Sequence, residues 1–409
     1  MTDLLYDRDA YMTEFTASVL ACEQTKYSGK VAFDIVLDQT AFFPEQGGQD
    51  CDSGKLYICC EGKDAACSDK DGTEDVNSIN VLHVSIKSDV IHHICDKPVA
   101  AGTKVCGKIC WEQRFDRMQQ HSGEHLVSGT VHRFFGADNV GFHLSAREVT
   151  LDFNTTFEEK DIAFIEDTVN RAIYENFETH IFFPSADELK TLDYRSKKEL
   201  TGQVRIVEYP GYDMCACCAP HVKRTGEIGS IRIIAAEHFK GGTRMWIECG
   251  KRSLISARAQ LNDARAISRI TSAKISEIVP AVEKISDALK DSRFKLVKFE
   301  RDSILSLADE VRAEKNPIIW IDACDQDNLR LGVNTLVSGT DGYCSAFCGN
   351  DDDGYRFIIA SSSKDCRELV NKMKSAFEIR GGGSPDMVQG TIKAKRTEIA
   401  VFYTEAGID

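Results

Sequence analysis

In the stretch Arg114–Ser128, "RFDRMQQHSGEHLVS", His121 and His125 stand four residues apart with Glu124 beside the second. On a helix that spacing puts both imidazoles on one face, one turn apart, where they can share a metal ion. The candidate partners lie far along the chain, in "DMCACCAPHV", where Cys217 and His221 are again four apart. Together the four side chains form an N₃S donor set suited to tetrahedral Zn²⁺, one ion per chain. Such a centre constrains the fold strongly, because a helix and a distant segment must meet at one point.

Spacing alone leaves alternatives open. With ten His and sixteen Cys in 409 residues, about 0.2 His-x₃-His and about 0.4 Cys-x₃-His pairs arise by chance. Each pair therefore also reads as buried, hydrogen-bonded histidines or core thiols. Cys215 and Cys218 flank Cys217 and could replace it, although the matched spacing favours Cys217. Two rival sets, His92, His93 and Cys95 with Cys106 and Cys110, and Cys59, Cys60 and Cys67, have irregular spacings. "HSGEH" also satisfies H-x-x-E-H, in which two His bind zinc and the Glu is the general base of a peptidase. That reading needs a downstream glutamate as third ligand and leaves Cys217 and His221 unused. Three ligands plus water would make an open hydrolytic site. Four protein ligands nearly close the metal, which would then position substrate.

Hydrophobic periodicity supplies the framework. "KVAFDIVLDQTAFF" alternates as a half-buried strand does, and short strands and turns continue to about residue 110. Phe115, Met118, His121, His125 and Val131 then recur at helical steps, so the histidines fall on an amphipathic helix. "FEEKDIAFIEDTVNRAIYENF" is a second helix, and "SIRIIAAEHF" and "TRMWIECG" are strands joined by a turn at Lys240–Gly242. Residues 251–313 lack glycine and read as helix, with Ser276 as a candidate N-cap ahead of Pro280. The predicted class is α+β. A β-rich, barrel-like domain spans 1–100, and an α+β domain with a helix on antiparallel sheet spans 101–250. A helical arm covers 251–313, and a glycine-rich α/β domain covers 314–409.

The net charge of −14 argues against a uniformly basic nucleic-acid coat. Locally the balance reverses, since the arm 251–313 carries 13 Lys/Arg against 9 Asp/Glu. No uncharged apolar run approaches the roughly 18 residues of a membrane span, and the N-terminus lacks a secretion signal's order. A cytoplasmic protein with no membrane association is expected, its scattered cysteines mostly core thiols.

The flanking words give the site a context. "TAFFPEQGGQDCDSG", "HSGEHLVSG", "VGFHLS…LDF", "CACCAPHVKRTGEIG" and "KGGTRMWIECG" occur in this order. Together they resemble the editing domain of alanyl-tRNA synthetase and its free-standing relatives, the alanyl-tRNA editing proteins. The resemblance covers residues 30–54 and 112–250 directly. The tail "GGGSPDMVQG" is similar to the glycine-rich end of the synthetase's C-terminal domain. It implies that His121, His125, Cys217 and His221 carry zinc. It also implies an editor acting in trans on tRNA(Ala) mischarged with serine or, second, glycine, with homodimerisation through the C-terminal region. A non-catalytic tRNA-binding module is the remaining alternative.

Candidate roles follow from that resemblance. Thr40 is a candidate for the seryl hydroxyl, or simply a strand threonine. Gly47 and Gly48 would let backbone approach the terminal adenosine, and Gln49 would hydrogen-bond water or substrate, unless these residues form only a tight turn. Arg114 and Arg117 are candidates for holding the acceptor end, or solvated helix charges. Gly381, Gly382, Gly383, Lys393, Lys395 and Arg396 are candidate contacts for the tRNA body. Two departures stand out: Cys218–Ala219–Pro220 replaces the usual Gly-Gly-Thr, and Glu124, a candidate general base, replaces a commonly neutral residue.

Overall fold

A computed structural model of the chain describes residues 2–59, 78–196 and 203–405. They form two units divided between Asp263 and Ala264. The architecture is α+β, as the mixture of periodicities predicts.

In the first unit six antiparallel strands close into a barrel: β1 (Glu14–Tyr27), β2 (Lys30–Leu37), β3 (Gly54–Ile58), β4 (Ser78–Lys87), β5 (Val90–Cys95) and β6 (Lys104–Ile109). Their order is β1-β2-β5-β4-β3-β6. Closure pairs every strand on both sides and leaves no edge. Ile35, Leu37, Leu56, Val84, Ile91 and Val105 fill its interior with no exposed surface.

Helix α1 (Trp111–Phe135) follows and stops at Gly136, whose φ of 61° is the left-handed C-cap that glycine accommodates. The sequence predicts an amphipathic helix. Instead every residue from Arg117 to Val131 is buried. Its apolar side, with Met118, Leu126, Val127 and Val131, packs into the core of the unit. Its polar side faces other protein groups rather than water, so polarity here marks a site and not a solvent face.

Strands β7 (Asn139–Leu144) and β8 (Val149–Phe153) come next, then α2 (Glu159–Glu175), β9 (His180–Phe182), β10 (Ile206–Tyr209), β11 (Asp213–Ala216), β12 (Ile231–Phe239) and β13 (Gly242–Cys249). They build an antiparallel four-stranded sheet, β12-β13-β8-β7, and an antiparallel three-stranded sheet, β9-β10-β11. The expected hairpin turn has φ of 49° at Lys240 and 83° at Gly241, as a two-residue type I′ turn requires.

Helix α3 (Gly250–Thr271) crosses the division, and α4 (Ile278–Val311) belongs to the second unit. Ser276 is not its N-cap. A 3₁₀ turn at Ile275–Glu277 already curls the chain, and Glu277 takes the cap position. The rest comprises β14 (Ile318–Ile321), α5 (Gln326–Val337), β15 (Cys344–Asn350), β16 (Gly354–Ala360), α6 (Cys366–Lys374), β17 (Glu378–Gly383), β18 (Met387–Lys393) and α7 (Arg396–Glu405). The sheet runs β14-β15-β16-β18-β17, and only its first pair is parallel. The α/β expectation for this region therefore describes one crossover, β14–α5–β15, while hairpins build the remainder. No described helix is long and apolar enough to cross a membrane.

Candidate metal centre

Four donor atoms, one each from His121, His125, Cys217 and His221, lie within 4.8 Å of one another. Cys217 Sγ stands 3.5 Å from His121 Nε2 and 3.3 Å from His221 Nε2. Ligands bound at zinc's usual 2.0–2.3 Å in a tetrahedron are roughly 3.5 Å apart. The three nitrogens and one sulfur thus fit that ion in both chemistry and spacing.

Each imidazole is turned by a partner on its other nitrogen. His121 Nδ1 is 2.8 Å from Gln49 Oε1, and His125 Nδ1 is 2.8 Å from Asp213 Oδ2. Both partner oxygens only accept, so each Nδ1 carries the proton and each Nε2 presents its lone pair to the cluster. His221 Nδ1 lies 3.0 Å from the Tyr209 hydroxyl and 3.3 Å from that of Ser122. Burial lowers the His221 pKa well below the ordinary imidazole value, and the neighbouring His125, His121 and Arg205 lower it further. A neutral imidazole is the form that ligates. Burial pulls His125 the same way, but its hydrogen bond to Asp213 and the nearby Cys215 and Glu124 outweigh that pull and raise its pKa. Asp213 is held below the usual carboxylate value against its own burial by hydrogen bonds from His125 and Arg195.

Two unlike local structures deliver the two pairs. His121 and His125 are one turn apart on α1, whereas Cys217–His221 is irregular chain leaving β11. Arg205 clamps that loop by donating from Nη1 to the carbonyls of Cys217 (2.8 Å) and Ala219 (2.9 Å). Ser122 accepts the Val222 amide at 3.2 Å. These contacts hold the Cys218–Ala219–Pro220 segment that departs from Gly-Gly-Thr.

The cluster opens on a cleft of about 1180 Å³ whose wall includes Gln46, Gly47, Gly48, His121, His125, Phe142, Arg195, Arg205 and Cys217. Gln46 and Gln49 pair across a tight turn, with φ of 65° at Gly47 and 83° at Gly48. A Cβ on Gly48 would come within 2.8 Å of the Phe142 carbonyl oxygen. The turn is thus also a close approach to β7, where the Leu144 amide donates to the Gly48 carbonyl at 2.8 Å. Gln49 is buried, and its Nε2 has no hydrogen-bond partner among the described residues.

Glu124 is buried beside the cluster. Its Oε1 accepts from Ser128 (2.6 Å) and Asn139 (2.8 Å), and its Oε2 is 3.9 Å from His125 Nε2. Three other candidates lie elsewhere. Thr40 is fully buried against the barrel, its Oγ1 2.9 Å from His93 Nε2 and accepting the Phe42 amide. His93 Nδ1 donates to the Ile35 carbonyl, so the Thr40 hydroxyl donates to Nε2 and keeps no hydrogen for a substrate. Arg114 has no exposed surface; it forms an ion pair with Asp52 and donates to the carbonyls of Ala10 and Ala41. Arg117 is 8% exposed, with Nη1 3.9 Å from the same Asp52. Arg114 is thus fully engaged within the protein, whereas Arg117 is buried with its Nη1 lacking a hydrogen-bond partner among the described residues. In the second unit Gly381–Gly383 lie exposed on β17, and Lys393, Lys395 and Arg396 are also exposed, Arg396 stacking 5.0 Å over Trp320.

Among the described residues one other group gathers three donors: His125, Asp213 and Cys215. Its Asp213 already accepts from His125 and Arg195. Burial pushes the Cys215 thiol up to about 11, and it donates to the Ala216 carbonyl. The N₃S group is the better cation site, with Cys217 as its sulfur. The first rival set does not assemble, since His92 turns to Asp34 and His93 into the barrel; of the second, Cys60 and Cys67 lie outside the described residues. Sequence reading missed Asp213, Arg195, Tyr209 and Ser122. One signal was present, since Asp213, Cys215 and Cys217 share the parity of one strand face.

Comparison with known proteins extends the picture. Residues 204–247 match the family described as the threonyl and alanyl tRNA synthetase second additional domain. A Methanosarcina mazei protein named alanyl-tRNA editing protein AlaX-M is 32% identical over 248 residues, 57% of this chain and 90% of that protein. The Mus musculus protein named alanyl-tRNA editing protein Aarsd1 is 24% identical over 413 residues, 96% of this chain and 95% of that protein. An alanine–tRNA ligase of Ignicoccus hospitalis is 27% identical over 393 residues, 93% of this chain but 40% of the ligase.

Proposed function

The chain belongs to the alanyl-tRNA editing proteins, and on that premise we propose that it is an aminoacyl-tRNA deacylase acting in trans on mischarged tRNA(Ala). The reaction is hydrolysis of the ester between the wrong amino acid and the 3′ end of the tRNA. Serine is the first substrate and glycine the second. Serine differs from alanine by one hydroxyl, which a small apolar synthesis pocket rejects poorly, so a second, hydrolytic sieve is useful.

The observation that carries this reading is the convergence of His121, His125, Cys217 and His221 on a cleft large enough for a nucleoside-sized ligand. These four residues would hold one Zn²⁺ ion. When bound, the ion supplies Lewis acidity toward an oxygen presented to it. The protein's own groups do the rest. Gln49 fixes the tautomer of His121, and its unpartnered amide has hydrogens to give a substrate oxygen or water. The Gly47–Gly48 turn lets backbone approach the terminal adenosine without side chains intervening. Glu124 is proposed as the general base, with Oε1 anchored by Ser128 and Asn139 and Oε2 3.9 Å from His125 Nε2.

Lys393, Lys395 and Arg396, the Gly381–Gly383 strand and the basic 251–313 arm are proposed to contact the tRNA body. The same C-terminal region is proposed to pair two copies of the chain, which sedimentation velocity would read as a concentration-dependent dimer. Exposed Val282, Ile285, Leu289 and Phe299 on α4 support that pairing.

The test is to incubate the purified protein with Ser-, Gly- and Ala-charged tRNA(Ala) and follow ester loss. Ser-tRNA(Ala) should be cleared fastest and Ala-tRNA(Ala) spared. Cys217→Ala should slow clearance by about 100-fold or more. Glu124→Gln should slow it by about 100-fold with zinc content unchanged. RNA binding without deacylation would overturn the proposal.

A further inference from the structure

Of the three candidate ligand imidazoles, His125 is backed by a charged acceptor. Gln49 offers His121 a neutral amide oxygen, and Tyr209 and Ser122 offer His221 hydroxyls. Asp213 offers His125 a carboxylate, and that carboxylate is itself gripped on both oxygens. Arg195 donates from Nε to Oδ1 at 2.7 Å and from Nη2 to Oδ2 at 2.9 Å. The planar fork matches the carboxylate geometry and leaves it little freedom to swing. The Asp213 side chain is only 1% exposed and that of Arg195 13%, so water competes weakly for either.

Two backbone features hold this chain of contacts in place. Arg195 bridges Cys215 as an added strand: its amide donates to the Met214 carbonyl at 2.8 Å, and its carbonyl accepts the Ala216 amide at 3.0 Å. Gly129, one turn beyond His125 on α1, lets β11 approach the helix. A Cβ there would stand 2.4 Å from the Tyr212 carbonyl oxygen and 2.5 Å from Asp213 Cβ. A side chain at 129 would push Asp213 away from His125.

We propose that Asp213, locked by Arg195 and admitted by Gly129, is a positioning residue that aims His125 Nε2 at the metal and sets how tightly the metal is held. This rests on the reading of His121, His125, Cys217 and His221 as a metal centre. A carboxylate behind a ligating imidazole fixes its ring orientation and raises its basicity, and losing such a partner costs metal affinity. Asp213 does not touch the metal in this role; it acts through His125. Arg195 neutralises the carboxylate, so the centre gains orientation without an unpaired buried charge.

The experiment uses the full-length protein loaded with Zn²⁺ or, as a spectroscopic probe, Co²⁺. Zinc affinity is measured by competition with a chromophoric chelator, and the cobalt visible spectrum reports ligand geometry. Asp213→Asn should raise the zinc dissociation constant by about 10- to 100-fold and change the cobalt spectrum. Arg195→Gln should move both readouts in the same direction by a smaller factor. On mischarged tRNA both variants should lower kcat in proportion to the zinc they lose. A merely structural role would lower the melting temperature and leave the affinity and spectrum of the folded protein as in the wild type; that result overturns the proposal. If Asp213→Asn does not fold, Arg195→Gln decides alone, and wild-type affinity there is equally fatal. Failure of the underlying reading looks different: the wild type would take up no stoichiometric zinc, or Cys217→Ala would bind it as tightly.

Discussion

At residue 114 a guanidinium sits where no water reaches it. Arg114 and Asp52 have side chains 0% and 1% exposed, and the pair ties α1 to the segment that carries the glycine turn. Breaking a buried pair from one side strands the remaining charge at a cost of about 3–5 kcal/mol. Arg114→Ala should therefore lower the unfolding free energy by about that amount in urea denaturation. It should leave the salt dependence of RNA binding unchanged; an RNA-binding role would show the opposite pattern. An arginine two turns before a candidate ligand histidine is indistinguishable in sequence from a phosphate contact, because the sequence does not say which way the helix faces. Thr40 teaches the same lesson. Burial pulls His93 down to about 4, so the ring stays neutral and takes the threonine hydroxyl as its donor.

Among the elements, the Gln46–Gln49 turn is the one on which site and fold both depend. It carries Gln49 to His121 and packs its glycines against β7. In Gly48→Ala a side chain meets both an unfavourable φ of 83° and the Phe142 carbonyl. The expected loss of stability is about 1–3 kcal/mol by thermal melting. Displacement of Gln49 should also slow hydrolysis of mischarged tRNA(Ala) by about 10-fold or more. The glycines were legible as a turn. Their closeness to β7 was not, because β7 is remote in sequence. Helix α1 was legible from its period, yet its amphipathic reading failed because polar residues that line a site obey the same spacing as polar residues that face water. The two candidate ligand pairs share a spacing but not a conformation, one helical and one irregular. Four-residue separation is thus a sign of proximity rather than of helix.

Over the whole molecule, an acid-rich chain of net charge −14 must present cations locally to hold RNA. Lys393 and Lys395 are exposed. If each meets a phosphate, Lys393→Ala and Lys395→Ala should each flatten the slope of log affinity against log salt by about 0.7–0.9. An unchanged slope would place the RNA elsewhere. By itself the sequence determined the candidate ligand types, the period of the strands and helices and the ordered motifs of the family. All of these are written in local spacing, which backbone geometry converts directly into faces and turns. Only the tertiary structure decided that Cys217 rather than Cys215 joins the imidazoles, that Asp213 and Arg195 stand behind His125, and that Arg114 and Thr40 are already occupied. Those outcomes are set by contacts between segments far apart in the chain, where burial and the nearest partner decide what a polar side chain can still bind.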